Sequence, residues 1–180
     1  MFRTRLKKMR DCRYEVRAGS EALLFSNGPA SDRADKMGLY GWLIGAWTMD
    51  AVMHAPNCEI HERRGEIGFA WVLEGRAIQD VWILPDFFYG TTLRVYDPGI
   101  DAWHITYFDP SRPSEQRQLG RAVGADIVQI GEDHRGLQRR WRFLEITQRT
   151  FRWVGDVSWD RGATWTLEMQ MHAQRKPSAG

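Results

Sequence analysis

Cysteine is scarce in this chain. Only Cys12 and Cys58 occur, and they form no Cys-x-x-Cys pair. A disulfide framework or zinc site therefore finds no support, and reduced thiols in a cytoplasm are the expectation. Long apolar runs are missing too. Nothing approaches the roughly 20 residues that cross a bilayer as a helix. The first 17 residues set seven Lys or Arg against Asp11 and Glu15, but neither the apolar core nor the cleavage site of a secretory signal follows. Also lacking are a Gly-rich phosphate loop, a Gly-x-Ser-x-Gly elbow and any His-x-x-x-His or His-x-Glu spacing among His54, His61, His104, His134 and His172. Nucleotide-dependent, serine-hydrolase and metal chemistry lose support on that account, and no cofactor is expected. A haem held by a lone His stays open.

The net charge of +2 is concentrated at the start of the chain, which leaves the remainder mildly acidic. Nucleic-acid binding needs a basic face on the folded body, so neither nucleic acid nor membrane is expected as a partner. Residues 1–33 read as a basic arm, partly disordered or packed outside the domain, residues 34–175 as the domain, and 176–180 as a frayed end. A chain of 180 residues suits one domain, as a monomer or homodimer.

What is abundant is aromatic: nine Trp, eight Phe and five Tyr. Each ring can bury roughly 150–250 Å². After a loop at 26–32, in which Ser31 or Asp32 could cap a helix running to about Ile44, the pattern changes to short aromatic and β-branched runs. The strands expected are 46–54, 60–72, 76–84, 90–97, 102–109, 115–123, 126–132, 137–147, 150–159 and 164–174. The turns between them are too short for crossover helices, so successive strands should pair antiparallel. Alternation sets Trp47, Met49, Ala51 and Met53 against Thr48, Asp50 and His54. It sets Phe151, Trp153, Val157 and Trp159 against Arg152, Asp156 and Ser158, and Trp165, Leu167, Met169 and Met171 against Glu168 and His172. One apolar and one wet face, repeated round a meander, predicts an all-β, up-and-down β-barrel of about ten strands with a short N-terminal helix; a two-sheet sandwich is the alternative.

Gly45-Ala46-Trp47 resembles the Gly-x-Trp feature that opens the first strand of lipocalins and their calycin relatives. The span from about Leu39 to Arg175 is also similar to small bacterial calycin-like proteins of unassigned function. The matching pieces are Leu73-Glu74-Gly75-Arg76, Tyr89-Gly90 with Tyr96-Asp97-Pro98, and Trp159-Asp160-Arg161-Gly162-Ala163-Thr164-Trp165. The resemblance implies a lipocalin-like barrel with an internal pocket, and Arg175 packed across Trp47 at its closed end. It implies no agreed reaction.

Two functions are weighed. In the first, the barrel binds a small, largely apolar, possibly aromatic metabolite against Trp47, Trp71, Arg76, Trp82, Arg94, Trp103, Tyr107, Trp141, Phe143, Trp153 and Met169. In the second, a cofactor-free enzyme of the same fold performs proton-transfer chemistry as an isomerase, cyclase or lyase. Arg76 or Arg94 would then hold an oxyanion, and Asp80, Glu145 or Tyr96 would move the proton. Placing Trp82 inward carries Arg76 and Asp80 with it, and Glu145 shares the face of Trp141 and Phe143. The facing of Arg94 is open, because Leu93 and Val95 could form the core instead.

Overall fold

The computed structural model describes Glu21 and residues 24–54, 59–111, 114–133 and 135–177; Cys12, Cys58, His134 and the arm through residue 20 lie outside the described residues. A 3-10 turn at Ser31–Arg33 leads into α1 (Ala34–Gly41). Ten strands follow: β1 (Gly45–His54), β2 (Ile60–Val72), β3 (Ala77–Leu84), β4 (Phe88–Asp97), β5 (Ala102–Asp109), β6 (Ser114–Val123), β7 (Asp126–Asp133), β8 (Gln138–Leu144), β9 (Thr150–Ser158) and β10 (Thr166–Arg175). Each pairs antiparallel with the next, and β10 returns to β1, so the sheet closes on itself. Closure gives every strand two neighbours and leaves no edge for another chain to extend. The sandwich alternative is ruled out by that ring.

The helix starts without the expected cap. Neither Ser31 nor Asp32 makes a capping bond; Asp32 instead pairs with Arg33 at 3.1 Å. Its buried residues, Met37 and Tyr40, close one end of the barrel. There Trp47 sits fully buried between Trp42 and Phe151, edge-on to both, and its indole N–H donates to the Leu43 carbonyl at 2.7 Å. Trp47 and Arg175 face one another across the β1–β10 pair. The Arg175 guanidinium lies over the Trp47 ring at 4.1 Å, as the resemblance implied. It also donates to three main-chain carbonyls, those of Trp42, Ile44 (2.6 Å) and Gln148 (2.9 Å). One side chain thus ties the helix exit, the first strand and the β8–β9 turn. Gly45 has φ +119°, and a β-carbon there would stand 3.1 Å from the Arg175 guanidinium, so the Gly of Gly-x-Trp keeps this corner open.

Several strand bounds differ from expectation. The chain turns at Glu145 (φ +52°), ending β8 three residues early. Trp159 falls in the β9–β10 turn and is 70% exposed instead of facing inward. That turn is organised by Asp160, which accepts from the Thr164 amide at 2.8 Å and its hydroxyl at 2.6 Å; the Thr164 side chain heads the interactions that hold the carboxyl down at about 2. At the other end of the chain, Lys176 still bonds to the barrel, its amide donating to Ala46 at 2.9 Å.

Two outcomes are expected. Arg175→Lys keeps the charge but loses the guanidinium fork and should cost about 2 kcal/mol in urea unfolding, most of the loss expected for Arg175→Ala. Tyr40 supplies the second. Burial pushes its phenol from 10.0 up to about 12, although Arg94 nearby and a hydrogen bond from Gln129 pull the other way. A folded-state pKa above the unfolded one gives stability that is complete below pH 10 and lost as pH rises from 10 to 12, on the order of 2–3 kcal/mol. The stability difference between the natural protein and Tyr40→Phe should fall over that window; a flat difference would contradict it.

Candidate functional site

Inward residues change character along the barrel. At the closed end they are rings in contact: Tyr40 edge-on to Trp103 at 5.0 Å, Trp42 edge-on to Phe151 at 5.5 Å, and Phe143 tilted against Phe151 at 5.5 Å. Above them lie charges. In β4 the inward face is Thr92, Arg94 and Tyr96, which settles the open question of Arg94. Its side chain is 1% exposed and that of Asp80, on β3, is 0% exposed.

Asp80 accepts from Arg94 Nη1 with one carboxylate oxygen and from the Thr92 amide, at 2.8 Å, with the other. The guanidinium carbon lies 5.3–5.9 Å from the ring centres of Tyr40, Phe69 and Phe143. A buried cation tolerates such surroundings only with a carboxylate partner, and here the rings add their negative faces. Arg94 Nε, buried, finds no hydrogen-bond partner among the described residues.

Beyond Arg94 the interior opens into a cavity of about 530 Å³ at the end opposite the helix. Its wall is a chain of rings: Trp82 against Trp153 at 5.9 Å, Trp153 against Trp141 at 5.6 Å, and Trp141 edge-on to Tyr107 at 5.3 Å. Two glycines make room for them. A β-carbon at Gly155 would come within 2.6 Å of the Trp153 ring, and one at Gly90 within 2.5 Å of Tyr107. The mouth is polar, with His54, His61, Arg139 and Glu168 around it, and Asp109 and Gln116 also line the cavity. Arg139 bonds to both Glu168 and, at 3.2 Å, Asp133. The Asp133 carboxyl is pushed up by burial, but hydrogen bonds from the Arg135 and Leu137 amides and from the side chains of Arg135 and Arg139 outweigh this and leave it lowered.

Against this geometry, no family model and no curated protein matches the chain. Solved structures do. The chain is similar to Rv2717c from M. tuberculosis, at 16% identity and TM-score 0.53, over 80% of this chain and 99% of that one. It is similar to the S-type phycobiliprotein lyase CPES from Guillardia theta, at 12% identity and TM-score 0.55, over 84% and 100%. The chain has a lipocalin-like, or calycin, barrel fold. At these identities the likeness is one of architecture, so function has to be argued from the barrel's own pocket.

Of the residues singled out by sequence, Trp82, Arg94, Tyr107, Trp141, Trp153 and Met169 meet in the cavity, with Asp80 directly behind Arg94. Trp47, Trp71, Trp103 and Phe143 face inward but are packed at the closed end or below Arg94. Tyr96 also lies there, its hydroxyl donating to Asp101 at 2.6 Å, a bond that raises its pKa.

Two facings are corrected. β3 begins at Ala77, so Arg76 sits in the preceding turn, exposed and bonded to Glu74 at 3.1 Å. Its turn is fixed instead by Gly75 (φ +79°), where a β-carbon would meet the Gly28 carbonyl at 2.2 Å. Glu145, past the end of β8, is an exposed partner of Arg152 at 2.9 Å rather than a carboxyl on an aromatic face.

Sequence reasoning missed Arg139 and Glu168. Arg139 was legible, since it stands two residues before Trp141 and so shares its face. Glu168 was not. The β9–β10 register shifts between Leu167 and Met169, and this bulge brings both Glu168 and Met169 to the cavity although alternation sets them apart. His54, placed outside by alternation, reaches the mouth at the end of β1.

The buried pair yields a sharp expectation. Asp80→Ala strands the Arg94 charge and should cost about 3–5 kcal/mol, whereas Asp80→Leu with Arg94→Met should return to within about 1 kcal/mol of the natural protein. Urea unfolding of the two variants checks this; equal losses would mean that the pair is not what neutralises Arg94.

Proposed function

We propose that this barrel binds one small, flat, largely apolar molecule in the open half of its interior, between the Trp82, Trp141, Trp153 and Tyr107 rings. The observation that carries the reading is the cavity itself. About 530 Å³ walled by four linked aromatic side chains stands beside a closed end in which the same residue types are packed against one another. Such a volume suits a small-molecule site, and its composition is the usual one: mostly apolar walls and a few polar groups that orient the guest. Rings that already hold one another in place lose little freedom when a planar guest slides between them, which favours binding.

Binding is favoured over proton transfer because the candidate proton carriers are placed poorly for it. Asp80 is occupied by Arg94 and Thr92, and Tyr96 and Glu145 lie away from the cavity. A general base must reach the proton that it takes.

The neutral probe N-phenyl-1-naphthylamine tests the reading. It should quench Trp fluorescence saturably with one site per chain. Trp141→Ala or Trp153→Ala should weaken it about three- to tenfold, and Trp159→Ala, which alters an exposed turn, should leave it unchanged. No saturable quenching, or equal weakening by Trp159→Ala, would contradict the proposal.

A further inference from the structure

The cavity carries charges whose balance says which guests it accepts. Its deepest cation, Arg94, is already neutralised by Asp80. The cation at its mouth, Arg139, is shared by Asp133 and Glu168. Arg135 shares Asp133 as well, so Arg94 and Arg139 are each already met by a carboxylate and neither stands alone for an incoming anion. A guest carboxylate would lose its water, gain no net positive partner and meet the field of Asp80 behind Arg94.

Hydrogen-bonding capacity is unspent all the same. Arg94 Nε at the floor and Gln116 Nε2 at the wall are buried and unpartnered among the described residues, and both are donors. Donors without net charge suit an uncharged acceptor, and a buried donor left unpaired is itself costly.

From these observations we infer that the pocket selects an uncharged ring compound with a carbonyl-type oxygen at its deep end, where Arg94 Nε donates to it, and discriminates against the corresponding carboxylate. The inference rests on the binding reading above and names the class of guest. Selection of this kind works by leaving the rejected ligand's charge unpaired, as well as by contacts with the accepted one.

Three naphthalenes of nearly equal shape separate the possibilities: 2-methylnaphthalene, 2-naphthamide and 2-naphthoate, each titrated at pH 7 by Trp fluorescence. The amide should bind tighter than the hydrocarbon and at least about tenfold tighter than the carboxylate. Asp80→Asn, which leaves the Arg94 charge unbalanced, should reverse the preference toward naphthoate. Because that variant could unfold, Glu168→Gln at the half-exposed mouth serves beside it and should raise naphthoate affinity severalfold relative to naphthamide. Naphthoate binding as tightly as naphthamide to the natural protein would overturn the inference while leaving the pocket reading intact. If none of the three binds, both fall together.

Discussion

The Arg94–Asp80 pair divides the barrel interior. A guanidinium 1% exposed and a carboxylate 0% exposed require one another, and neither can be moved without stranding its partner. On the helix side of that pair the space is filled with packed rings. On the far side the chain keeps aromatic walls but does not fill the gap between them, and the cavity begins where Arg94 ends. The pair is therefore both a structural cross-link between β3 and β4 and the floor of the candidate site.

Closure of the barrel makes the division possible. The β1–β10 pairing sets Trp47 opposite Arg175, and that Arg ties three carbonyls from separate parts of the chain while covering the indole. With this end locked and capped by Met37 and Tyr40, the cavity occupies the open end without loss of the core. The packed core and the cavity thus draw on different halves of one set of strands, and the bulge at Leu167–Met169 lies in the cavity half.

Much of this was legible in the residues, and the rest failed for identifiable reasons. Period-two alternation found ten strands and an inward Trp82, Trp141 and Trp153, because a barrel with one buried face leaves no freedom of phase. Arg94 defeated it, since Leu93 and Val95 are equally plausible core residues; only Asp80 on the neighbouring strand decides the matter, and pairing between strands is not written in either alone. Arg76 and Glu145 were misplaced because alternation carries no information on where a strand stops. Positive φ at Glu145 and a turn seated against Gly28 end the pattern one step short of each. Glu168 depends on a bulge, which shifts parity without marking the sequence.

The account stands on the open half of the barrel being a pocket floored by Arg94. A crystal structure of the protein with 2-naphthamide tests that most directly. The account expects the naphthalene between Trp82, Trp141 and Trp153 with its carbonyl oxygen within hydrogen-bond distance of Arg94 Nε, and the Arg94–Asp80 contact unchanged. Side chains collapsed into the open half, or the naphthalene seated only on the outer face of the sheet, would contradict it.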